Sequence, residues 1–321
     1  MPRVTLDAAM SSKILIEAFL EARIDPDARA WLAEASDAIH AGVDVSRFGQ
    51  LLSLASRKLG HGARRPWSLS ADELQQAETL VPGWNPERWT ALEAARVALV
   101  LSRADLTEPT AATAIEAAFR FADEGELCAL YRSLAHLPNP QAYRWRAAEG
   151  CRTNMVTVFE ADVLDTPYPA LHFDAIAFDQ AVIKALFVGA PLWRLWGLDR
   201  RLSPELARMA LDLCDERRSA HRPIPPELWL CLGSFGEQRG LDAIEVELAP
   251  FLAADALGDD ADERMPGARA AVLALGRAGA SARLRELEAS APGPLAREAA
   301  RALAGDAHQT TWRELVAPVP A

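Results

Sequence analysis

The stretch that decides the fold runs from Cys151 to Trp229 and reads CRTNMVTVFEADVLDTPYPALHFDAIAFDQAVIKALFVGAPLWRLWGLDRRLSPELARMALDLCDERRSAHRPIPPELW. Apolar residues recur in it at helical spacing, and proline-rich turns separate the helical runs. One run, Asp174–Val188, is apolar around most of its circumference, which predicts burial on several sides. Charged residues on such helices are costly to bury unless they are paired. We therefore expect a binding site or a buried polar network in this central segment, residues 151–229.

The rest of the chain shows the same helical pattern, and we predict an all-α fold of stacked antiparallel helical pairs, as in a HEAT-like α-solenoid. Alanine is very frequent and Val and Ile rarely cluster, which favours helix over strand. A weak repeat aligns Ala268–Leu275 with Ala296–Leu303. We predict a main helical domain at 1–235, a HEAT-like helical extension at 236–306 and a frayed tail at 307–321.

Composition limits the partners that we expect for this acidic protein. The formal charge is −11, from 45 acidic and 34 basic residues, and such a surface repels nucleic acid and anionic lipid. No run of about 18 apolar residues occurs, so we expect no membrane span. The four cysteines form no CxxC pair and the N-terminus lacks the layout of a signal peptide, which together favour reduced thiols and a cytoplasmic location. No histidine pairs with another His or Cys at metal-ligand spacing, and we expect neither a metal nor a cofactor.

One candidate for chemistry is a polar pair on the apolar central helix. Gln180 and Lys184 lie four residues apart and therefore on one face of that helix. Glu160, on the preceding helix, is the natural partner for the lysine, and Asp179 and Asp199 are the other options. The pair could line a small-molecule pocket, with Glu160 and Lys184 as catalytic acid–base candidates. It could instead be a structural network that joins two central helices, and the sequence leaves both readings open.

A second candidate is the arginine-rich junction around Gly197–Arg201. Seven arginines fall between Arg194 and Arg222, and a guanidinium fork suits phosphate or carboxylate. Ordinary surface ion pairs at helical spacing are the alternative, because the sequence offers Glu205–Arg208, Arg208–Asp212 and Asp215–Arg218. The ligand-binding residues that we predict are Asn154, Gln180, Asp199, Arg200, Arg201 and Glu216.

Several motifs of the central segment resemble one known family. They include Asn154-Met155, Val158-Phe159-Glu160-Ala161, Pro167-Tyr168-Pro169, Lys184-Ala185-Leu186-Phe187, Gly197-Leu198-Asp199-Arg200-Arg201, Pro204-Glu205-Leu206-Ala207-Arg208-Met209 and Pro226-Glu227-Leu228-Trp229. In these motifs the chain is similar to the EboA family. It departs from the family pattern at Thr166 (Asn in the family), Phe178-Asp179 (Trp-Asn), Ala181 (Met), Leu213-Cys214-Asp215 (Tyr-Ala-His) and Arg218 (Trp).

The resemblance implies a protein of the ebo gene cluster, which is linked to making or exporting a secondary metabolite, such as the scytonemin precursor. Because the sequence shows no catalytic constellation, we expect a non-catalytic accessory protein that binds a small metabolite or another ebo-cluster protein. The alternative that remains open is an enzyme acting on a polyol, sugar-phosphate-derived or prenylated intermediate through Glu160 and Lys184.

Overall fold

A computed structural model describes residues 5–253 and 261–316. The regular structure of these residues is helical, with one isolated β-bridge between Pro66 and Thr90, and this confirms the all-α prediction. The chain forms two compact units, divided between Asp174 and Ala175. The domain limits expected at 235 and 306 stay predictions.

Unit 1 contains ten α-helices within its described residues, numbered in chain order. They are α1 Leu6–Glu21, α2 Pro26–Ala41, α3 Val45–Lys58, α4 Ala71–Leu80, α5 Ala91–Leu101, α6 Pro109–Phe121, α7 Glu124–Ser133, α8 Arg144–Gly150, α9 Val156–Val163 and α10 Tyr168–His172. Short 3-10 helices cover His61–Arg64, Pro86–Arg88, Leu134–His136 and Pro140–Tyr143.

The described part of unit 2 continues the numbering with eight α-helices. They are α11 Ala175–Val188, α12 Leu198–Arg201, α13 Pro204–Ser219, α14 Glu237–Leu252, α15 Ala261–Arg277, α16 Ser281–Ser290, α17 Gly293–Leu303 and α18 Arg313–Val316. Its 3-10 helices are Leu192–Arg194, Pro226–Cys231 and Gln309–Trp312.

Several helices begin at residues whose side chains cap the first turn. Ser70 and Glu73 form a reciprocal capping box at α4: the Glu73 N–H donates to the Ser70 hydroxyl at 3.2 Å, and the Ser70 N–H donates to the Glu73 carboxylate at 2.8 Å. The Ser203 hydroxyl accepts the Leu206 N–H at 3.0 Å and begins α13. These contacts satisfy backbone donors that a helix start otherwise leaves unpaired.

The core of unit 1 is built around α5. Every residue of α5 except Glu93 is buried, and the helix packs against α1, α2, α3 and α7. Arg96 lies inside this apolar surrounding: its Nε donates to the Leu52 carbonyl of α3 at 3.1 Å, and its guanidinium lies 3.5 Å from the Glu126 carboxylate of α7. Burial lowers the pKa of the Arg96 guanidinium, and the nearby Glu126 charge opposes that shift.

Aromatic rings fill the space beside α1 and α5. Trp84 and Trp89 are both fully buried, with ring centroids 5.7 Å apart, and the His136 ring packs edge-on against Trp84 at 4.6 Å. The His136 Nδ1 lies 3.0 Å from the hydroxyl of the buried Ser12. Burial lowers the pKa of His136 to about 3, so this imidazole is a neutral core group at physiological pH.

The core of unit 2 is built around α15. This helix packs against α14, α16, α17 and the 3-10 helix Pro226–Cys231. The repeated segments found in the sequence lie in α15 and α17, which are packed together. A Cβ at Gly276 would lie 2.8 Å from the Cβ of Ala302, so glycine is what allows these two helices to approach so closely.

Two expectations are wrong where the structure describes them. Burial on several sides was expected for α11, but its buried residues lie on one side of the helix, and Ile176 and Phe187 are 70% and 67% exposed. The expected frayed tail is folded over residues 309–316, where Trp312 is fully buried and donates its indole N–H to the Pro226 carbonyl at 3.0 Å. The remainder of that predicted tail, residues 317–321, lies outside the described residues.

We predict that Arg96→Met lowers the free energy of unfolding by about 3–5 kcal/mol, because it leaves the Glu126 carboxylate buried without its cation. The measurement is urea unfolding followed by tryptophan fluorescence. Arg152→Met, which removes an arginine from an exposed ion pair with Glu149, serves as the control and costs at most about 1 kcal/mol.

The double variant Arg96→Met/Glu126→Gln should recover most of the loss, because it removes both charges and keeps a side-chain acceptor for the Asp123 N–H. A double variant no more stable than Arg96→Met alone would show that the buried ion pair is not what the helices depend on.

Candidate functional site

Unit 1 contains a groove of about 1000 Å³ between α3 on one side and α6 and the start of α7 on the other. This volume lies at the upper end of the range found for small-molecule pockets. The lining residues come from two chain segments, 45–57 and 117–130, that are far apart in sequence.

The α3 wall of the groove is polar because of its helical spacing. Ser46, Gln50, Ser53 and Arg57 recur every three or four residues, line the groove and are exposed. The opposite face of α3 buries Phe48, Leu51 and Ala55 and anchors the helix to the interior. The hydroxyls, amide and guanidinium are therefore held on a firmly packed helix and can bind a polar group.

The facing wall is apolar and consists of small side chains around one aromatic ring. Ala117, Ala118 and Phe121 of α6 line it, and Phe121 is 84% exposed, more than any other large apolar side chain among the described residues. The other face of α6 buries Ile115 and Phe119. A wall of this kind exposes apolar surface, which is costly to leave in water.

The start of α7 forms the third part of the groove lining. Asp123 and Glu126 form a capping box: the Glu126 N–H donates to the Asp123 carboxylate at 2.7 Å, and the Asp123 N–H donates to the Glu126 carboxylate at 3.0 Å. Glu126 also faces the buried Arg96. Both acids of the groove thus already have hydrogen-bonding partners.

The residues predicted from the central segment do not line this groove. Glu160 is half-buried on α9 of unit 1, and Lys184 is half-buried on α11 of unit 2; their pairing stays a prediction. Asn154, Gln180 and Glu216 are exposed. Their roles as ligand-binding residues stay predictions as well.

The arginine-rich junction in unit 2 makes three separate internal contacts. Asp199 accepts from the Arg277 guanidinium at 2.6 Å, Arg200 stacks over the Trp196 ring at 5.0 Å, and Arg201 stacks over the Phe178 ring at 4.4 Å. Burial raises the pKa of the neighbouring Asp179 carboxyl, and the Arg201 charge opposes that shift.

Two of the three surface ion pairs read from the sequence are confirmed. Arg208 lies 2.7 Å from Glu205 and 2.5 Å from Asp212. Asp215 accepts from Arg239 at 2.7 Å, and Arg218 lies 3.7 Å from Glu247 on α14, so these two residues are engaged across to the next helix.

Glu227 is a buried carboxyl group that the sequence reasoning did not single out. It is 7% exposed and accepts the Trp193 N–H at 2.9 Å, which joins the 3-10 helix Pro226–Cys231 to the one at Leu192–Arg194. Burial raises the pKa of Glu227 to about 7, against the lowering effect of its backbone hydrogen bonds and of Arg194. The signal in the sequence was a lone acid between Pro226 and Leu228, in a stretch with no polar periodicity.

The cysteines are free thiols, and three of them, Cys128, Cys214 and Cys231, are buried. Burial raises the pKa of the Cys128 thiol to about 12 and that of Cys214 to about 11, so both stay protonated and unreactive. Cys151 is half-buried and donates its S–H towards the Asp162 carboxylate at 3.3 Å. Within residues 5–253 and 261–316, no three His, Cys, Asp or Glu side chains are grouped so as to hold a metal ion.

Comparison with known proteins identifies one family. A family model described as "Metabolite traffic protein EboA" matches residues 12–233. That range contains the groove, the central segment and Glu227. No curated protein and no solved structure matches the chain. Across the helices that the structure describes, none is both long enough and apolar enough to cross a membrane.

We predict that Glu227→Gln stabilises the protein at pH 8 and has little effect near pH 4.5. The native pKa of about 7 is above the usual 4.5, so the stability that this carboxyl group contributes is complete below pH 4.5 and is lost as the pH rises towards 7. Glutamine keeps the acceptor for the Trp193 N–H without the charge. The expected gain at pH 8 is about 3 kcal/mol.

Urea unfolding at pH 5 and pH 8 measures this difference, with Glu288→Gln on the exposed face of α16 as the control for a surface glutamate. If the stability difference between Glu227→Gln and the native chain stays the same at both pH values, the burial argument for Glu227 is wrong.

Proposed function

Because the chain belongs to the EboA family of metabolite traffic proteins, we propose that it is a non-catalytic accessory protein that holds a small metabolite for its gene cluster. The observation that carries this proposal is the groove between α3 and α6, which lies within the residues that match the family. One wall provides hydrogen-bonding groups and the other an apolar surface, a combination typical of small-molecule sites. The partner is then the metabolite, or another protein of the cluster that delivers or receives it.

We further propose that the helical pairs stack as in HEAT-like solenoids. Packing of α15 on α17, each carrying one copy of the repeat, supports this for the C-terminal helices. We also propose a cytoplasmic location, as the sequence predicts. Both proposals are compatible with a carrier that receives its ligand from enzymes of the same cluster.

Deletion of the gene in a host with an intact cluster tests the proposed function. We expect the finished product of the cluster to accumulate in the cell extract and to fall in the medium, since movement rather than synthesis would be lost. Mass spectrometry of extract and medium measures both pools. A stalled precursor in place of the finished product would contradict the proposal and would favour catalysis by Glu160 and Lys184.

Complementation connects this phenotype to the groove. Ala118→Trp and Ser53→Trp, from opposite walls, fill the groove and should each fail to restore product in the medium. Ala30→Trp, on the exposed face of α2, is the matched control and should restore it. Circular dichroism checks that each variant is folded. Restoration by both groove variants would show that the groove is not the site.

A further inference from the structure

The charges around the groove set the kind of molecule that it can hold. The lining contains one basic residue, Arg57, and two acids, Asp123 and Glu126. Glu126 is neutralised by Arg96, and Asp123 lies at the start of α7, where the helix dipole stabilises a negative charge. The groove is therefore nearly neutral, on a chain whose formal charge is −11.

Arg57 is the charged residue of the groove whose N–H donors are available to a ligand. In the described part of the chain it forms no ion pair, whereas both acids of the groove have hydrogen-bonding partners. A guanidinium presents several N–H donors in a fork that matches carboxylate, sulfonate and phosphate oxygens. The hydroxyls of Ser46 and Ser53, on the same face of α3, can add further donors.

The apolar wall defines the rest of the ligand. Ala117 and Ala118 leave room beside the exposed ring of Phe121, and an aromatic or aliphatic body placed there would cover that ring. Covering a largely exposed phenylalanine removes apolar surface from water, which is favourable in proportion to the area covered. The polar wall thus suits an anionic group, and the apolar wall suits the apolar body of the same molecule.

We propose that the groove binds a small molecule with an apolar body and one anionic group, with Arg57 as the residue that selects the anion and Phe121 as the one that covers the apolar body. This inference rests on the proposed function, because it takes the groove as the ligand site. It adds the chemical class of the ligand and assigns separate contributions to the two walls.

A pair of matched dyes tests the inference. The probe 8-anilinonaphthalene-1-sulfonate has an apolar ring system with a sulfonate, and N-phenyl-1-naphthylamine has the same rings without the charge. We expect the native protein to bind the sulfonate about tenfold more tightly, since a charge-assisted hydrogen bond to Arg57 is available only to it. Isothermal titration calorimetry measures both dissociation constants.

Three variants separate the contributions. Arg57→Gln should weaken sulfonate binding about tenfold and leave the neutral dye unchanged. Lys58→Gln, the same charge change at an exposed neighbour outside the groove, should change neither. Phe121→Ala should weaken both dyes severalfold. Arg57, Lys58 and Phe121 are all exposed, so the variants should keep the native circular dichroism spectrum and melting temperature.

The outcomes distinguish this inference from the function on which it rests. Equal affinity for both dyes, with no effect of Arg57→Gln but a loss on Phe121→Ala, would overturn the anionic class and leave the groove as a binding site. Binding of neither dye, or binding that Phe121→Ala does not change, would overturn both the anionic class and the groove as the ligand site.

Discussion

The arrangement of unit 1 depends on one buried charge. Arg96 lies in a helix whose residues are all buried except Glu93, and its guanidinium contacts α3 at the Leu52 carbonyl and α7 at Glu126. An unpaired charge in such a place costs several kcal/mol, about as much as a large core cavity. Any arrangement that separates α3 from α7 would therefore cost Arg96 one of these two partners. A single side chain thus connects α3 and α7, two of the three helices that line the groove.

The groove follows from this constraint combined with the choice of small residues. Both α3 and α6 bury one face in the interior, so each turns its remaining face towards the space between them. Many of the residues on those faces are serines, alanines and a glycine, which are too small to fill the space. Tight packing elsewhere in the unit keeps the walls from collapsing inwards. The groove is therefore a stable feature of the fold.

Contacts between residues that are close in sequence made the helices predictable. The groove could not be predicted in this way. The capping box at Ser70 and the cap at Ser203 are each contained within four residues, so the residues that start these helices stand next to one another in the sequence. The groove needs segments that are about 60 residues apart, and nothing local connects them. The apolar residues of α11 predicted too much burial, since periodicity cannot distinguish a buried Ile176 from an exposed one. A buried Arg96 is equally invisible in a sequence in which arginine is common.

A protein that moves a metabolite must release it as well as bind it. Arg57 is exposed, and water and salt weaken the attraction of an exposed guanidinium for an anion. Arg96, which is buried, would bind an anion far more strongly, but Glu126 already neutralises it. The strong electrostatic interaction therefore joins the helices of unit 1, and the weak one faces the proposed ligand site. Affinity differences between related sites lie mostly in the dissociation rate, so a groove with a weak anchor suits a carrier that must pass its ligand on.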